Sequence, residues 1–366
     1  MATINSYVSK GFFDEFIQSK PHNILSDDFK LWLNLYRFFN SRSTTLKLGE
    51  SKQSLGKKGL DNELIYNLMN DYFGGKPNIV FENLDEDVEK LKEEINLYSF
   101  QFFFTSSKDD IDEIILKAGF PMYNSSHGLI SSSRLSNLEI LPISKNDKTN
   151  TLKNWEELTK KLLPFNTLTI VDNYLFSNER AIRNNTIPLI KKIAESLRID
   201  SCFHLSLVYC EEEKKEKIDG KWKSILDKNG KFIYQNNIDE IYKRIRTELL
   251  DIFKDSIRYK LSIVRLNKSS DFHDRAIFTN SQFITSGNSF SSYFNIKERS
   301  VVVNLLSPTV LTIFPLIGEY QKGIWGEITF EILAHLHSLL ENSDNKPTVV
   351  GEPIENNKLL KKFYEI

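Results

Sequence analysis

The chain has 366 residues, 40% of them hydrophobic and 27% charged, with a formal net charge of −1. That length accommodates two or three domains with a sizeable core, and the 12% aromatic content, mostly Phe, excludes a disordered chain. The near-neutral total excludes a uniformly basic polyanion binder, yet the charge is uneven: residues 1–150 are acidic by about four charges, 151–270 basic by about six and 271–366 acidic by about three.

The opening Met1-Ala-Thr-Ile-Asn-Ser-Tyr7 lacks the basic-then-apolar design of a secretory signal. A helix is predicted over Asp28–Phe39, strands over Asn78–Phe81 and Leu97–Phe104, and an amphipathic helix over Lys108–Ala118 with Ser106 or Ser107 as its cap. These elements give an N-terminal domain, residues 1–145, of α/β or α+β type. It carries no chemical motif. The polar stretch Ser144–Thr151 is the predicted boundary.

Beyond it, helix Leu152–Leu163 leads to the apolar strand Thr167–Asp172, helix Asn185–Leu197 and a second apolar strand, Cys202–Cys210. Turn signals at Asp219-Gly220 and Lys228-Asn-Gly230 frame a hairpin carrying Trp222, Ile225 and Phe232. The charged run Glu211–Lys217 reads as a solvated loop. Helix Ile238–Phe253 and strand Lys260–Arg265 complete a strand–helix alternation, which predicts parallel pairing and ligands beyond the carboxyl ends of the strands. Ala276–Thr279 and Gln282–Thr285 alternate as two strands about a turn at Asn280-Ser281. Val301–Gly318, interrupted by Asn304, Pro308 and Pro315, reads as two buried strands and not as a membrane span, and a helix follows at Phe330–Leu340. The second domain is therefore placed at 152–340, with a polar tail and short helix at 341–366. Cys202 and Cys210 lie about 26 Å apart in an extended strand, beyond disulfide reach, so a reduced, cytoplasmic protein is expected.

The residues that could carry chemistry are His273, Arg275 and Asn280, followed by Gly287, Asn288 and Ser291. Side chains two apart on a strand share a face, so His273 and Arg275 would point together. An imidazole that attacks phosphorus or moves a proton, beside a guanidinium fork for the non-bridging oxygens, suits a phosphodiester. Glycine at 287 admits backbone N–H groups to the same phosphate, and Asn288 adds a donor. A structural Arg–Asp–His cluster is the competing reading.

The pattern His273-x-Arg275-x4-Asn280-x6-Gly287-Asn288-x2-Ser291 resembles, with most members altered, the phospholipase D superfamily motif. Together with Val171-Asp-Asn-Tyr-Leu175 it is most similar to the degenerate phospholipase-D-like domain at the C-terminus of MIT-domain proteins and in uncharacterised bacterial proteins. The resemblance covers about residues 155–305. It implies a mixed or parallel sheet with flanking helices and a metal-independent phosphodiesterase or nuclease chemistry with a histidine nucleophile. Asn280 stands where the family has aspartate; Asp172 is the candidate substitute carboxylate, or else a helix-cap or loop carboxylate. Family catalysis uses two motifs around one phosphate, and no second copy accompanies His22, His127, His204, His335 or His337, so turnover implies a homodimer.

No cofactor and no metal are expected: zinc-type Cys/His spacing, a phosphate-loop lysine and a dinucleotide glycine motif are all missing from the sequence. The function expected is phosphodiester binding, with DNA or RNA as partner, and with conditional nuclease activity in a bacterial defence or mobile-element setting by fold-level analogy. The alternative is a non-catalytic module that docks a protein or lipid headgroup, with the N-terminal domain free to recruit a protein partner.

Overall fold

The computed structural model describes residues 4–40, 44–70, 78–82, 88–95, 101–106, 109–124, 138–140, 154–211, 213–230, 233–234, 236–266, 275–286, 289–290, 309–312, 335–341, 347–357 and 359–360. The chain is α/β, built on two large sheets. Strands β1 (Ile4–Val8), β2 (Thr44–Leu48), β3 (Asn78–Phe81), β4 (Gln101–Thr105) and β5 (Met122–Asn124) make a wholly parallel sheet in the order β3-β2-β1-β4-β5. Helices α1 (Lys10–Gln18), α2 (Asp27–Phe39), α3 (Lys52–Asp61), α4 (Glu63–Asn70), α5 (Val88–Glu94) and α6 (Asp109–Ala118) fill the crossovers. Ser9, Ser26 and Ser51 start α1, α2 and α3: each hydroxyl accepts the N–H three residues on, which satisfies a donor that the first helical turn leaves free.

The second sheet runs β15-β11-β8-β7-β12-β13-β14-β6. Its centre is the parallel trio β7 (Thr167–Val171), β8 (Phe203–Cys210) and β11 (Tyr259–Leu266). β7 and β8 are buried at every position, as strands covered on both faces must be, which explains their unbroken apolar runs. Around them pair, antiparallel, β12 (Arg275–Thr279), β13 (Gln282–Ser286), β14 (Thr309–Thr312) and β6 (Leu138–Ile140) on one side and β15 (Thr348–Gly351) on the other. Thus β6, from the chain before the polar stretch 144–151, lies at the far edge of this second sheet.

Successive side chains divide between two cores. Ile170, Leu207, Ile263 and Ile277 face α9 (Ile187–Ser196) and α10 (Ile238–Phe253). Val171, Val208, Val264 and Phe278 belong to a cluster continuous with Phe12, Trp32 and Phe104 of the first sheet's layer. The C-terminus of α6 docks directly on the second sheet: Asn166 Nδ2 and Ser201 Oγ donate to Ala118 O, at 2.8 and 2.9 Å.

Two predicted helices change. The first, α7 (Trp155–Thr159), is shorter than Leu152–Leu163, ending ahead of Pro164. The second begins earlier, as α8 (Glu179–Ala181), and widens into a π-helical stretch at Ile182–Thr186 before α9. Pro188 follows the widened stretch and has no N–H to offer the Asn184 carbonyl four residues back; the next carbonyl, Asn185 O, accepts from Trp155 Nε1 at 3.1 Å. The charged run Glu211–Lys217, expected to be a solvated loop, is partly strand: β9 (Lys215–Ile218) pairs with β10 (Lys221–Ser224) in an exposed hairpin. Of the two strands expected in Val301–Gly318, β14 is described, and the remainder lies outside the described residues. No described helix is long and apolar enough to cross a membrane.

Candidate functional site at the carboxyl edge of the second sheet

Strand register, more than proximity in sequence, assembles this site. Tyr209 lies opposite Arg265 across β8 and β11, and Arg275 lies opposite Ser286 across β12 and β13. Val171 pairs with Val208 on one side and Ala276 on the other, so Asp172, one residue on, falls between Tyr209 and Arg275. The ladder persists there, with Asp172 N donating to Val208 O at 3.0 Å. The result is a lateral row, Arg265, Tyr209, Asp172, Arg275, Ser286, on the face that carries Ile170 and Leu207. With strands about 4.8 Å apart, the two arginines stand about 14 Å from each other.

Asp172 is fully buried. Its Oδ1 accepts from Tyr174 N at 2.9 Å, and its Oδ2 accepts from Ser289 Oγ at 2.7 Å and Phe290 N at 2.6 Å. Burial pushes its carboxyl above the ordinary range, against the opposing pull of these bonds and of the Arg275 charge. The carboxylate thus ties the end of β7 to the segment after β13, the loop-carboxylate alternative raised from sequence. Arg275 is half-buried, its guanidinium 5.4 Å from the centre of the Tyr174 ring, which is itself half exposed.

Arg265, 8% exposed, lies 3.5 Å from the Tyr234 ring centre, while Glu211 Oε2 is 4.0 Å from its Nη1 and Thr348 Oγ1 3.4 Å from its Nη2. The other Glu211 oxygen accepts from Asn236 N and Nδ2 at 2.8 and 2.9 Å. Burial, reinforced by Glu211, raises the Tyr209 phenol.

Asn280 does not join this row. It is fully buried at the turn, where Oδ1 accepts from Asn166 N at 2.9 Å and Thr167 N at 3.0 Å and Nδ2 donates to Asn166 Oδ1 at 2.9 Å. Five residues of strand separate it from Arg275, about 17 Å. The structure thus brings Asp172 and Arg275 together and leaves Asn280 at the amino end of β7. His273, Gly287, Asn288 and Ser291 lie outside the described residues. Sequence reasoning missed Arg265, Tyr209, Ser286 and Ser289; the strand parity of Arg265 was readable, but Ser289, 117 residues from Asp172, left no local signal.

Elsewhere, an apolar groove of about 510 Å³ opens at the opposite end of the sheet, lined by Leu116, Leu162, Phe165, Leu197 and Ile199 among others. In the first sheet the strand order reverses between β1 and β4, the usual crevice of doubly wound sheets. Here it is closed. Ser106 N donates to Ser9 Oγ at 2.9 Å, and a Cβ on Gly11 would fall 2.3 Å from Ser106 Oγ. Among the described residues no three His, Cys, Asp or Glu side chains converge on a position that could hold a metal ion.

Comparison with protein families and with curated proteins finds no match to this chain.

Proposed function

We propose that the carboxyl edge of the second sheet binds a phosphodiester, and that the physiological ligand is a nucleic-acid backbone. The observation that carries this reading is the register-aligned row in which Arg265 and Arg275 flank Tyr209 and Asp172. Arg275 is the phosphate ligand, its guanidinium 5.4 Å from the centre of the Tyr174 ring and its strand position beside Asp172. His273, Gly287, Asn288 and Ser291 are assigned to the same phosphate on the motif that resembles the phospholipase D superfamily, with the mixed sheet as its phospholipase-D-like scaffold. Binding is favoured over cleavage because both Asp172 oxygens already accept from the loop, which suits an anchor better than a partner for a catalytic imidazole.

The test is a salt series with labelled single- and double-stranded DNA and RNA. Affinity should fall as salt rises, and Arg275→Ala should weaken binding across sequences while lowering the log–log slope by about one. Salt-insensitive or absent binding refutes the reading. EDTA-resistant cleavage that disappears in His273→Ala would convert it to a nuclease.

A further inference from the structure

The β9–β10 hairpin is the least buried part of the described chain: seven of its eight strand residues are exposed, and Trp222 is 69% exposed. Its turn is well formed, with Asp219 and Gly220 both left-handed at φ 52° and 79°, the conformation of a tight two-residue hairpin. An exposed tryptophan therefore rides on a defined ribbon. Trp222 lies directly opposite Lys217, and Lys221 and Lys223 project from the other face of the same strand. From 214 to 228 the chain has six lysines, at 214, 215, 217, 221, 223 and 228, against three acids, Glu216, Asp219 and Asp227, while Glu211, Glu212 and Glu213 immediately precede that stretch, so the positive excess belongs to the outer part of the ribbon.

The root of the ribbon adjoins the candidate site. β8 carries Tyr209 of the row and then, through Glu211, the ribbon itself. The ribbon base is held by Ser224 Oγ donating to Glu213 Oε2 at 2.6 Å and by a bridge from Glu213 to Tyr234, whose ring covers Arg265. A polyanion lying along the carboxyl edge would continue onto the hairpin.

We infer that the β9–β10 hairpin is a docking arm for single-stranded nucleic acid, in which Trp222 stacks on a base and the lysines contact successive phosphates. The inference rests on the phosphodiester reading of the row and extends it to a strandedness and a second contact surface. The lysines of the outer ribbon select a polyanion, and an exposed aromatic with Lys217 beside it on the same face, and Lys221 and Lys223 on the other, suits a strand that stacks a base on Trp222 and passes its phosphates around the ribbon. Single strands are favoured because duplex bases are already stacked.

The test titrates the full chain with fluorescently labelled oligothymidylate and oligouridylate, the corresponding duplexes, and phosphatidylcholine vesicles with and without phosphatidylserine. Trp222→Ala should weaken single-strand binding about tenfold or more, with Trp222→Phe retaining most of it. The triple substitution Lys217→Gln, Lys221→Gln, Lys223→Gln should lower the single-strand salt slope by about two. Circular dichroism and urea unfolding should match wild type, since these side chains contact solvent. Unchanged affinity in Trp222→Ala, an equal loss on duplex, or Trp222-dependent binding of anionic vesicles in place of oligonucleotide overturns the arm. If Arg275→Ala abolishes binding while Trp222→Ala leaves it intact, the row stands and the arm falls. Loss in Trp222→Ala with none in Arg275→Ala keeps the arm and removes the row.

Discussion

Replacing Asp172 with alanine removes one acceptor from three donors at once: the N–H groups of Tyr174 and Phe290 and the hydroxyl of Ser289. Each bond to a buried charge contributes about 1.5–3 kcal/mol, and the carboxylate's own burial cost offsets part of that sum, leaving a net destabilisation of about 3 kcal/mol. In urea unfolding, with a slope of about 3 kcal/mol/M, the midpoint should fall by about 1 M. Asp172→Asn should lose nearly as much, because its amide N–H₂ would face a donor on one side, whereas Ser289→Ala should lose about 1 kcal/mol. A wild-type midpoint in Asp172→Asn would refute the loop-anchor reasoning.

Titration of the same group has a defined sign. Burial raises the folded pKa of Asp172 above its unfolded value of 3.8, so its contribution is fully present below that value and declines as pH rises through the folded pKa; the stability gap between wild type and Asp172→Asn should widen as pH falls from 7 to 4 in urea titrations. Asn280→Ala should destabilise by about 2–3 kcal/mol by orphaning Asn166 N and Thr167 N, yet leave oligonucleotide affinity of the folded protein unchanged; a selective loss of binding would place Asn280 in the site after all. Gly119, at φ 84° with a Cβ position 2.7 Å from the Phe165 carbonyl, should cost about 2 kcal/mol or more on change to Ala, measured by thermal unfolding. Cys210, its thiol pushed by burial to about 12, should resist thiol reagents at pH 8 until the chain unfolds, and labelling before unfolding would contradict that burial.

The central strands of the second sheet were legible because two-sided burial writes continuous apolar runs, as in Thr167–Val171 and Phe203–Cys210. The 275–286 hairpin was legible from alternation about Asn280-Ser281. The first sheet was hard to read for the converse reason. Its inner strands contain polar residues whose partners are distant in sequence: Lys47 is 5% exposed, 3.5 Å from Glu82 Oε1 and 4.8 Å from the Tyr7 ring centre. Such a strand looks like surface until its neighbours are known. Asn280 shares a motif spacing with Arg275 but not a place in the row, because five residue steps of extended strand carry its side chain to the far end of the sheet and to its other face. Arg265 and Tyr209 were overlooked because lateral alignment depends on register, which one strand alone does not disclose.

Asn280 has one more consequence. By clamping the turn to Asn166 and Thr167 it indexes β12 against β7, and a slip of a single residue would rotate Arg275 from the helix-covered face to the opposite one. The cation's address is therefore set by the register of the whole β12–β7 ladder, which the Asn280 clamp reinforces and the pairs from Ala276–Val171 to Thr279–Leu168 keep in the folded protein without it. A one-residue insertion between Asn280 and Arg275 could leave a folded, well-packed sheet whose guanidinium points the wrong way.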